Sequence, residues 1–298
     1  MKVSVQIPTY NQAHSIGKAI ESALMQDYPE LEIIVQDDCS SDDTFSVASS
    51  FSSDLVKVYR NETNIGRVSN YRSLLYERVS GNWNVNLDGD DYFSDPAFIS
   101  RAVAVLKSNP DLVFYQSCIA SASDNGSFRF RHKLTGDREE ILISGKEYFS
   151  NFHRNEFFGH LSTVYNSELA RKVGFYQYNS IIADAESLLK LALNGSVFLD
   201  NRITGVWNIH GANESKSMLS QNDLILASFR RLKDYSVPYI GAEAAENWYE
   251  EAIAINKASL LELRARYDFR RFLAGVRTSD LTKTALWKIL IKKTLGRI

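Results

Sequence analysis

Cysteine and proline are scarce, with two and five residues in a chain of 298. Cys39 and Cys118 form no CxxC pair, which excludes a disulfide scaffold, a zinc ribbon and a cysteine-held iron–sulfur cluster. Fifteen glycines and five prolines are too few for a collagen-like or linker-dominated chain. No apolar run approaches the roughly 18 residues that a membrane-spanning helix needs. The opening MKVSVQIPTYNQ lacks the apolar stretch of a signal peptide, so the expected location is cytoplasmic and reducing. A large excess of one charge is also missing: 34 Lys and Arg stand against 36 Asp and Glu, and no nucleic-acid partner is expected.

What the chain does have is ordinary globular material, 44% hydrophobic and 23% charged, enough for a sizeable core. Its charge is unevenly placed. Residues 262–298 carry ten basic and three acidic groups, a local +7, so the remaining 261 residues sum to −9. An acidic body with a basic tail points to something anionic near the C-terminus. From 281 to 298 there are five basic residues and no acid, with Trp287, Ile289, Leu290, Ile291 and Leu295 among them. Two readings stand: a peripheral contact with the inner face of the cell membrane, or a terminal helix packed by Trp287.

Strand and helix patterns alternate through the first 115 residues. Val3, Val5 and Ile7 alternate with polar neighbours as a strand, and Ile16, Ala19, Ile20, Ala23 and Leu24 follow at helical spacing with Ser15 as N-cap. Further strands are expected at Ile33–Val35, Val56–Tyr59, Trp83–Leu87 and Leu112–Tyr115, with helices near Asp42-Asp43, over Leu74–Val79 and after Asp95-Pro96. Strands separated by helices of this length form βαβ units around a parallel sheet, whose ligands bind beyond the carboxyl ends of the strands. The polar clusters fall there: Thr9-Tyr10-Asn11, Asp37-Asp38, and Asp88-Gly89-Asp90-Asp91. Residues 120–160 read as irregular connections that carry specificity. Short strands are expected at Thr163–Tyr165, Val197–Leu199 and Val206–Ile209, and a helix at Asp184–Leu193 with Gly195 as its C-terminal cap. Beyond about Gln221 the pattern is helical.

Three carboxylates within four positions, Asp88, Asp90 and Asp91, cannot all ionise comfortably without a cation. A hard divalent ion, Mg²⁺ or Mn²⁺, together with substrate phosphates, satisfies them. The alternative is a solvated acidic turn around Gly89. Asp37 and Asp38 offer a second acidic pair, able to accept hydrogen bonds from a base or ribose or to cap the following helix.

Val3-Ser4-Val5-Gln6-Ile7-Pro8-Thr9-Tyr10-Asn11, Tyr28-Pro29 through Asp37-Asp38-Cys39-Ser40, Asn64-Ile65-Gly66 and Leu87-Asp88-Gly89-Asp90-Asp91 together resemble the opening of the family 2 glycosyltransferases of GT-A fold. Cys39 stands where that family usually has glycine, a change between small residues from which no effect is expected. The resemblance implies a Rossmann-like, mostly parallel central sheet flanked by helices, with a helical C-terminal extension. The expected division is a GT-A domain over 1–218, comprising a nucleotide-sugar half at 1–115 and an acceptor half at 116–218, and a helical region over 219–298. Inverting, metal-dependent sugar transfer is implied, from a nucleotide-sugar, most often a UDP-sugar, to a glycan or lipid-linked glycan, in surface polysaccharide assembly.

By the same resemblance Pro8, Thr9, Tyr10 and Asp38 hold the nucleoside, Arg67 contacts base or phosphate, and Asp88 lies near the ribose. Asp90 and Asp91 lie near the metal, and His210, in Trp207-Asn208-Ile209-His210, reaches the metal or diphosphate. Asn208 replaces the arginine common in that segment. The family's Glu-Asp pair before an apolar run and glycine is matched by Ala183-Asp184 through Gly195, with Ala183 in place of the Glu. Asp184 is therefore the expected catalytic base, and Glu186 its competitor. A nucleotidyltransferase of similar architecture would need a basic, glycine-rich phosphate loop, which Pro8–Gly17 is not. A dinucleotide oxidoreductase would need GxGxxG after the first strand. A non-catalytic sugar- or nucleotide-binding relative is the remaining alternative.

Overall fold

The computed structural model describes residues 1–123, 127–131, 139–152, 159–210 and 220–267. The chain divides into two compact units, Met1–Asn213 and Glu214–Ile298.

In the first unit, β1 (Val3–Thr9) has all seven residues buried. It is flanked in parallel by β2 (Leu31–Asp37) and β4 (Trp83–Asn86), with Val3 opposite both Leu31 and Trp83. β3 (Val56–Arg60) adds in parallel to β2. On the other side β4 pairs antiparallel with β9 (Thr163–Asn166), and β9 antiparallel with β6 (Leu112–Ser123). β6 then runs parallel to β10 (Ser196–Ile209). β5 (Tyr92–Phe93) and β8 (Glu140–Ser144) pair antiparallel with β10, and β7 (Phe128–Arg131) with β6. The long ladders are the parallel ones, and the mostly parallel sheet with flanking helices is the α/β architecture expected above.

Alternation along β1 gives the sheet two chemically different buried faces. Val3, Val5 and Ile7 join one core with Ile16, Ala19, Ile20 and Ala23 of α1 (Ile16–Leu24) and Phe98, Ala102 and Leu106 of α4 (Phe98–Ser108). The opposite face is polar. Ser4 and Gln6 of β1, Gln36 of β2, and Asn84 and Asn86 of β4 are all buried. Part of this face is covered by α3 (Arg67–Ser73): Gln36 Nε2 donates to Ser73 Oγ at 3.1 Å, and Asn70 Nδ2 donates to the Gln36 carbonyl at 3.1 Å. Leu74–Arg78 continues α3 as a π-helical turn.

Several local expectations shift. Leu112–Tyr115 is the start of a strand that continues to Ser123, and the two short strands near 197 and 206 are one strand, β10. The polar residues Asp200, Asn201, Arg202 and Thr204 hide that continuity. The strand passes through them because the fully buried Asp200 accepts from the Tyr115 hydroxyl and pairs with Arg101 and Arg202, with register shifts between Asp200 and Gly205. Within 120–160, β7, β8 and α5 (Gly145–Ser150) are regular. Ser144 caps α5 by accepting from Glu147 N at 3.1 Å, a Ser-x-x-Glu start signal present in the sequence. Ser15 does sit at the N-cap position of α1, but its hydroxyl donates back to the Gln12 carbonyl instead of capping. Gly195 lies beyond the end of α7 (Ala183–Ala192), where a Cβ would come within 2.5 Å of the Asp111 carbonyl oxygen. Close backbone approach, not a left-handed cap, requires glycine there.

In the second unit, α8 (Asn222–Ile240) and α9 (Ala242–Tyr267) meet through Gly241, whose φ of +87° suits glycine alone. Phe229 and Trp248 pack edge to face at 6.2 Å, and Lys233 pairs with Glu246 at 3.0 Å. Among the described residues no helix is long and apolar enough to cross a membrane. The basic segment 281–298 lies outside the described residues.

Candidate active site

The loops that follow β1, β2 and β4 are fastened to one another at the carboxyl edge of the sheet. Asp38 N donates to the Thr9 carbonyl at 2.9 Å, and Gly89 N to the Pro8 carbonyl at 3.3 Å. Pro8 and Thr9 are buried, and Thr9 Oγ1 donates to Gln12 Oε1 at 2.8 Å. Tyr10 instead offers its ring to solvent, 47% exposed. Glycine is required at 89 because a Cβ there would fall 2.5 Å from Gln12 Oε1 and 2.7 Å from Thr9 Oγ1.

The two aspartates at the end of β2 divide their work. Asp37 takes the Ser40 backbone N–H at 3.1 Å and pairs with Arg60 Nε at 3.3 Å, closing its own turn. Asp38 gathers the loop 61–66: Oδ1 accepts from Asn61 Nδ2 at 2.7 Å and Ile65 N at 2.9 Å, and Oδ2 from Gly66 N at 2.9 Å. Cys39 between this pair and Ser40 has φ +61°. The position where the family places glycine is thus left-handed, and the substitution has a backbone consequence that side-chain size alone does not reveal.

Arg67 opens α3. Its Nη2 donates to the Ser180 carbonyl at 3.3 Å, and its guanidinium lies 5.5 Å from the Tyr71 ring centroid. Ligand oxygens of Asp88, Asp90 and Asp91 lie within 4.8 Å of one another. Burial raises the carboxyl pKa of Asp91 well above the usual carboxylate range, with the Asp90 and Asp88 charges adding to it. Burial and the Asp88 charge also raise Asp90. Three converging hard oxygens, two on groups that resist ionisation, form a donor set that fits a divalent cation. Strand β10 buttresses them. Asn208 N donates to Asp91 Oδ1 at 2.9 Å, Asn208 Nδ2 donates to the Asp90 carbonyl, and His210 Nε2 lies 2.8 Å from Asp90 Oδ2.

Asp88 differs from its neighbours. Burial opposes its charge, but His160 and Tyr71 outweigh burial and hold its pKa below the ordinary value. Tyr71 Oη donates to Oδ1 at 2.7 Å, and His160 Nε2 lies 3.3 Å from Oδ2. Burial would lower the His160 pKa, and the Asp88 and Asp184 charges reverse this and raise it. Tyr71, His160 and Tyr176 are site residues that the sequence reading passes over. His160 falls in a stretch without periodicity, and Tyr71 and Tyr176 carry no motif of their own. Asp184 is half-buried in the first turn of α7, and its charge reaches His160, Tyr148 and Tyr176. Glu186 is buried and paired with Lys190 at 2.9 Å, so its carboxylate is engaged within the helix.

The sequence matches glycosyl transferase family 2 over residues 4–174, more than half of the chain. The chain belongs to this family. Among family 2 relatives, the poly(ribitol-phosphate) β-N-acetylglucosaminyltransferase TarS of Staphylococcus aureus is 32% identical over 116 residues, which are 38% of this chain and 20% of TarS. The GalNAc(5)-diNAcBac-PP-undecaprenol β-1,3-glucosyltransferase of Campylobacter jejuni is 32% identical over 162 residues, 53% of this chain and 50% of that protein. The chain thus spans about a fifth and a half of these relatives. The crystal structure of TarS 1–349 with UDP-GlcNAc superposes with a TM-score of 0.70 at 18% identity, covering 94% of this chain and 77% of that one. The mannosyltransferase PcManGT of Pyrobaculum calidifontis, solved with GDP-Man and Mn²⁺, gives 0.58 at 17% identity, covering 99% of this chain and 86% of that one. These superpositions establish the GT-A fold.

Proposed function

We propose that the chain is an inverting glycosyltransferase that moves a sugar from a nucleotide-sugar, a UDP-sugar first among them, to a hydroxyl of a glycan or lipid-linked glycan in surface polysaccharide assembly. One observation carries the proposal. The ligand oxygens of Asp88, Asp90 and Asp91 converge within 4.8 Å of one another in a chain whose residues 4–174 match family 2.

Tyr10 and the backbone around Asp38 receive the base and ribose, Arg67 faces the phosphates, and Asp88 orients the donor. Asp90, Asp91 and His210 would hold a divalent cation, Mn²⁺ or Mg²⁺, whose charge when bound neutralises the departing diphosphate. Asp184 takes the proton of the acceptor hydroxyl as that oxygen attacks the anomeric carbon. The bond from that carbon to the diphosphate breaks, the nucleoside diphosphate leaves, and the configuration inverts. TarS in complex with UDP-GlcNAc, PcManGT with GDP-Man and Mn²⁺, and the undecaprenol-linked acceptor named for the Campylobacter relative support this reading. Work on a lipid-linked acceptor at the inner membrane face accords with the basic segment 281–298.

The test is transfer of labelled sugar from UDP-sugars and GDP-mannose to a bacterial lipid extract, with and without Mn²⁺. Label should enter the extract from one donor class, only with the metal. Asp184→Asn should slow the transfer by about 10²- to 10⁴-fold. Full turnover by that variant would remove the base assignment.

A further inference from the structure

The buried polar face of the sheet holds a hydrogen-bonded chain that ends on Asp88. Asn84 Nδ2 donates to Tyr165 Oη at 2.6 Å, and Tyr165 Oη donates to Asn86 Oδ1 at 2.9 Å. Asn86 Nδ2 donates to Tyr176 Oη at 2.8 Å. Tyr176 Oη lies 3.4 Å from His160 Nδ1, and His160 Nε2 lies 3.3 Å from Asp88 Oδ2. The direction of the last two links follows from valence. An ionised carboxylate only accepts, so Nε2 carries a proton in either charge state of the ring, and when the ring is neutral Nδ1 accepts. The Tyr176 hydroxyl already accepts from Asn86, which leaves its proton for Nδ1. With the ring neutral, every donor in the chain points toward Asp88, an arrangement in which successive bonds polarise one another.

Tyr176 also reaches the helix that carries Asp184. Its backbone N–H donates to Ser187 Oγ at 3.0 Å, and Ser187 Oγ donates to the Ala183 carbonyl at 2.6 Å, one residue from Asp184. Tyr176 has φ +53°, a left-handed conformation that disfavours a non-glycine residue. Such conformations persist where surrounding contacts over-determine them. Here the contacts run one way to Asp88 and the other way to α7. Tyr71 braces the junction, with its ring 5.2 Å from His160 and 5.1 Å from Tyr176.

We infer that His160, acting with Tyr176, is a positioning residue: it orients the Asp88 carboxylate toward the donor and fixes it relative to the helix that carries Asp184. This rests on the transferase reading and adds to it residues outside the motifs that carry the family resemblance.

The experiment has two arms on the full chain. The first is binding of UDP or GDP with Mn²⁺, followed by calorimetry. His160→Phe keeps a ring against Tyr71 and should weaken binding about tenfold, the scale on which partners of liganding groups act. Tyr176→Phe should weaken it about threefold, and the double variant should match His160→Phe within about twofold, because one chain can be broken only once. Tyr148→Phe, which removes a buried hydroxyl bonded to Gln116 at 2.9 Å, should bind as the unaltered chain does. Losses that multiply in the double variant, or an equal loss in Tyr148→Phe, would overturn the inference. The second arm needs no ligand. Nitrogen-15 spectra of the histidine side chains at alkaline pH should show His160, identified by its loss in His160→Phe, protonated on Nε2, with an Nδ1 resonance that moves in Tyr176→Phe. A proton on Nδ1, or an unmoved resonance, would overturn it. If neither nucleotide binds, the transferase reading fails, and the spectra still decide the chain of hydrogen bonds.

Discussion

Cys39 holds a left-handed backbone conformation, φ +61°, between the aspartate that pins the 61–66 loop and Ser40. An L-residue there carries a cost of about 1–2 kcal/mol that glycine escapes, partly offset by the greater freedom of glycine in the unfolded chain. Cys39→Gly should therefore stabilise the protein by up to about 1 kcal/mol in urea unfolding, and Cys39→Val should destabilise it by more than that, because a β-branched residue tolerates the conformation least. Gly89 is constrained in the opposite sense, by space. Gly89→Ala would drive a methyl into Gln12 and Thr9 and should cost about 1–3 kcal/mol of stability. It should also displace the turn between Asp88 and Asp90, so binding of Mn²⁺ with a nucleoside diphosphate should fall with stability. Unchanged binding would show that the turn does not depend on that contact. Both positions are glycine letters in the family's motifs, but only the backbone distinguishes a need for φ at Cys39 from a need for room at Gly89.

At the scale of elements, β1 carries much of the design. Its odd positions build the apolar core and its even positions a buried polar layer, and both patterns are visible in the alternation of Val3–Ile7. What the alternation does not give is the partner of each polar residue. Ser4 serves Glu32 of β2, which also accepts from Ser80 N at 2.9 Å and pairs with Lys2 at 2.6 Å. Burial works against the Glu32 charge, but these partners prevail and hold its pKa below the ordinary carboxylate value. A lowered folded-state pKa means stability that is present above the unfolded value, about 4.3, and lost as pH falls through the folded one. Glu32→Gln should cost about 1 kcal/mol at neutral pH, solvent screening at the half-exposed Lys2 keeping the figure modest. The difference from the unaltered chain should close in acid. A gap that stays constant down to strongly acidic pH would contradict this account. The unbroken β10 shows the limit of periodicity. A polar stretch looks like an interruption until Tyr115, Arg101 and Arg202 are seen to satisfy Asp200.

For the whole molecule, the ordered motifs at 3–11, 28–44, 64–66 and 87–91 disclose the family, and they lead to the carboxyl edge of the sheet, where ligands of such sheets bind. The second half is less legible. Asp184 stands in a recognisable frame. His160, Tyr71 and Tyr176 become candidate site residues only when the turn before β9, α3 and the segment before α7 meet beside the loop after β4, and no spacing in the sequence announces that meeting. The proposed function requires the edge formed by Tyr10, Asp38, Asp88, Asp90 and Asp91 to be a metal-dependent nucleoside diphosphate site. The most direct test is thermal unfolding with UDP, GDP and dTDP, each with and without Mn²⁺, since a ligand bound only to the folded state raises the apparent midpoint by mass action. A rise is expected with one nucleotide, dependent on Mn²⁺ and absent in Asp90→Asn. No rise with any nucleotide, or a rise that survives both metal removal and that substitution, would contradict it.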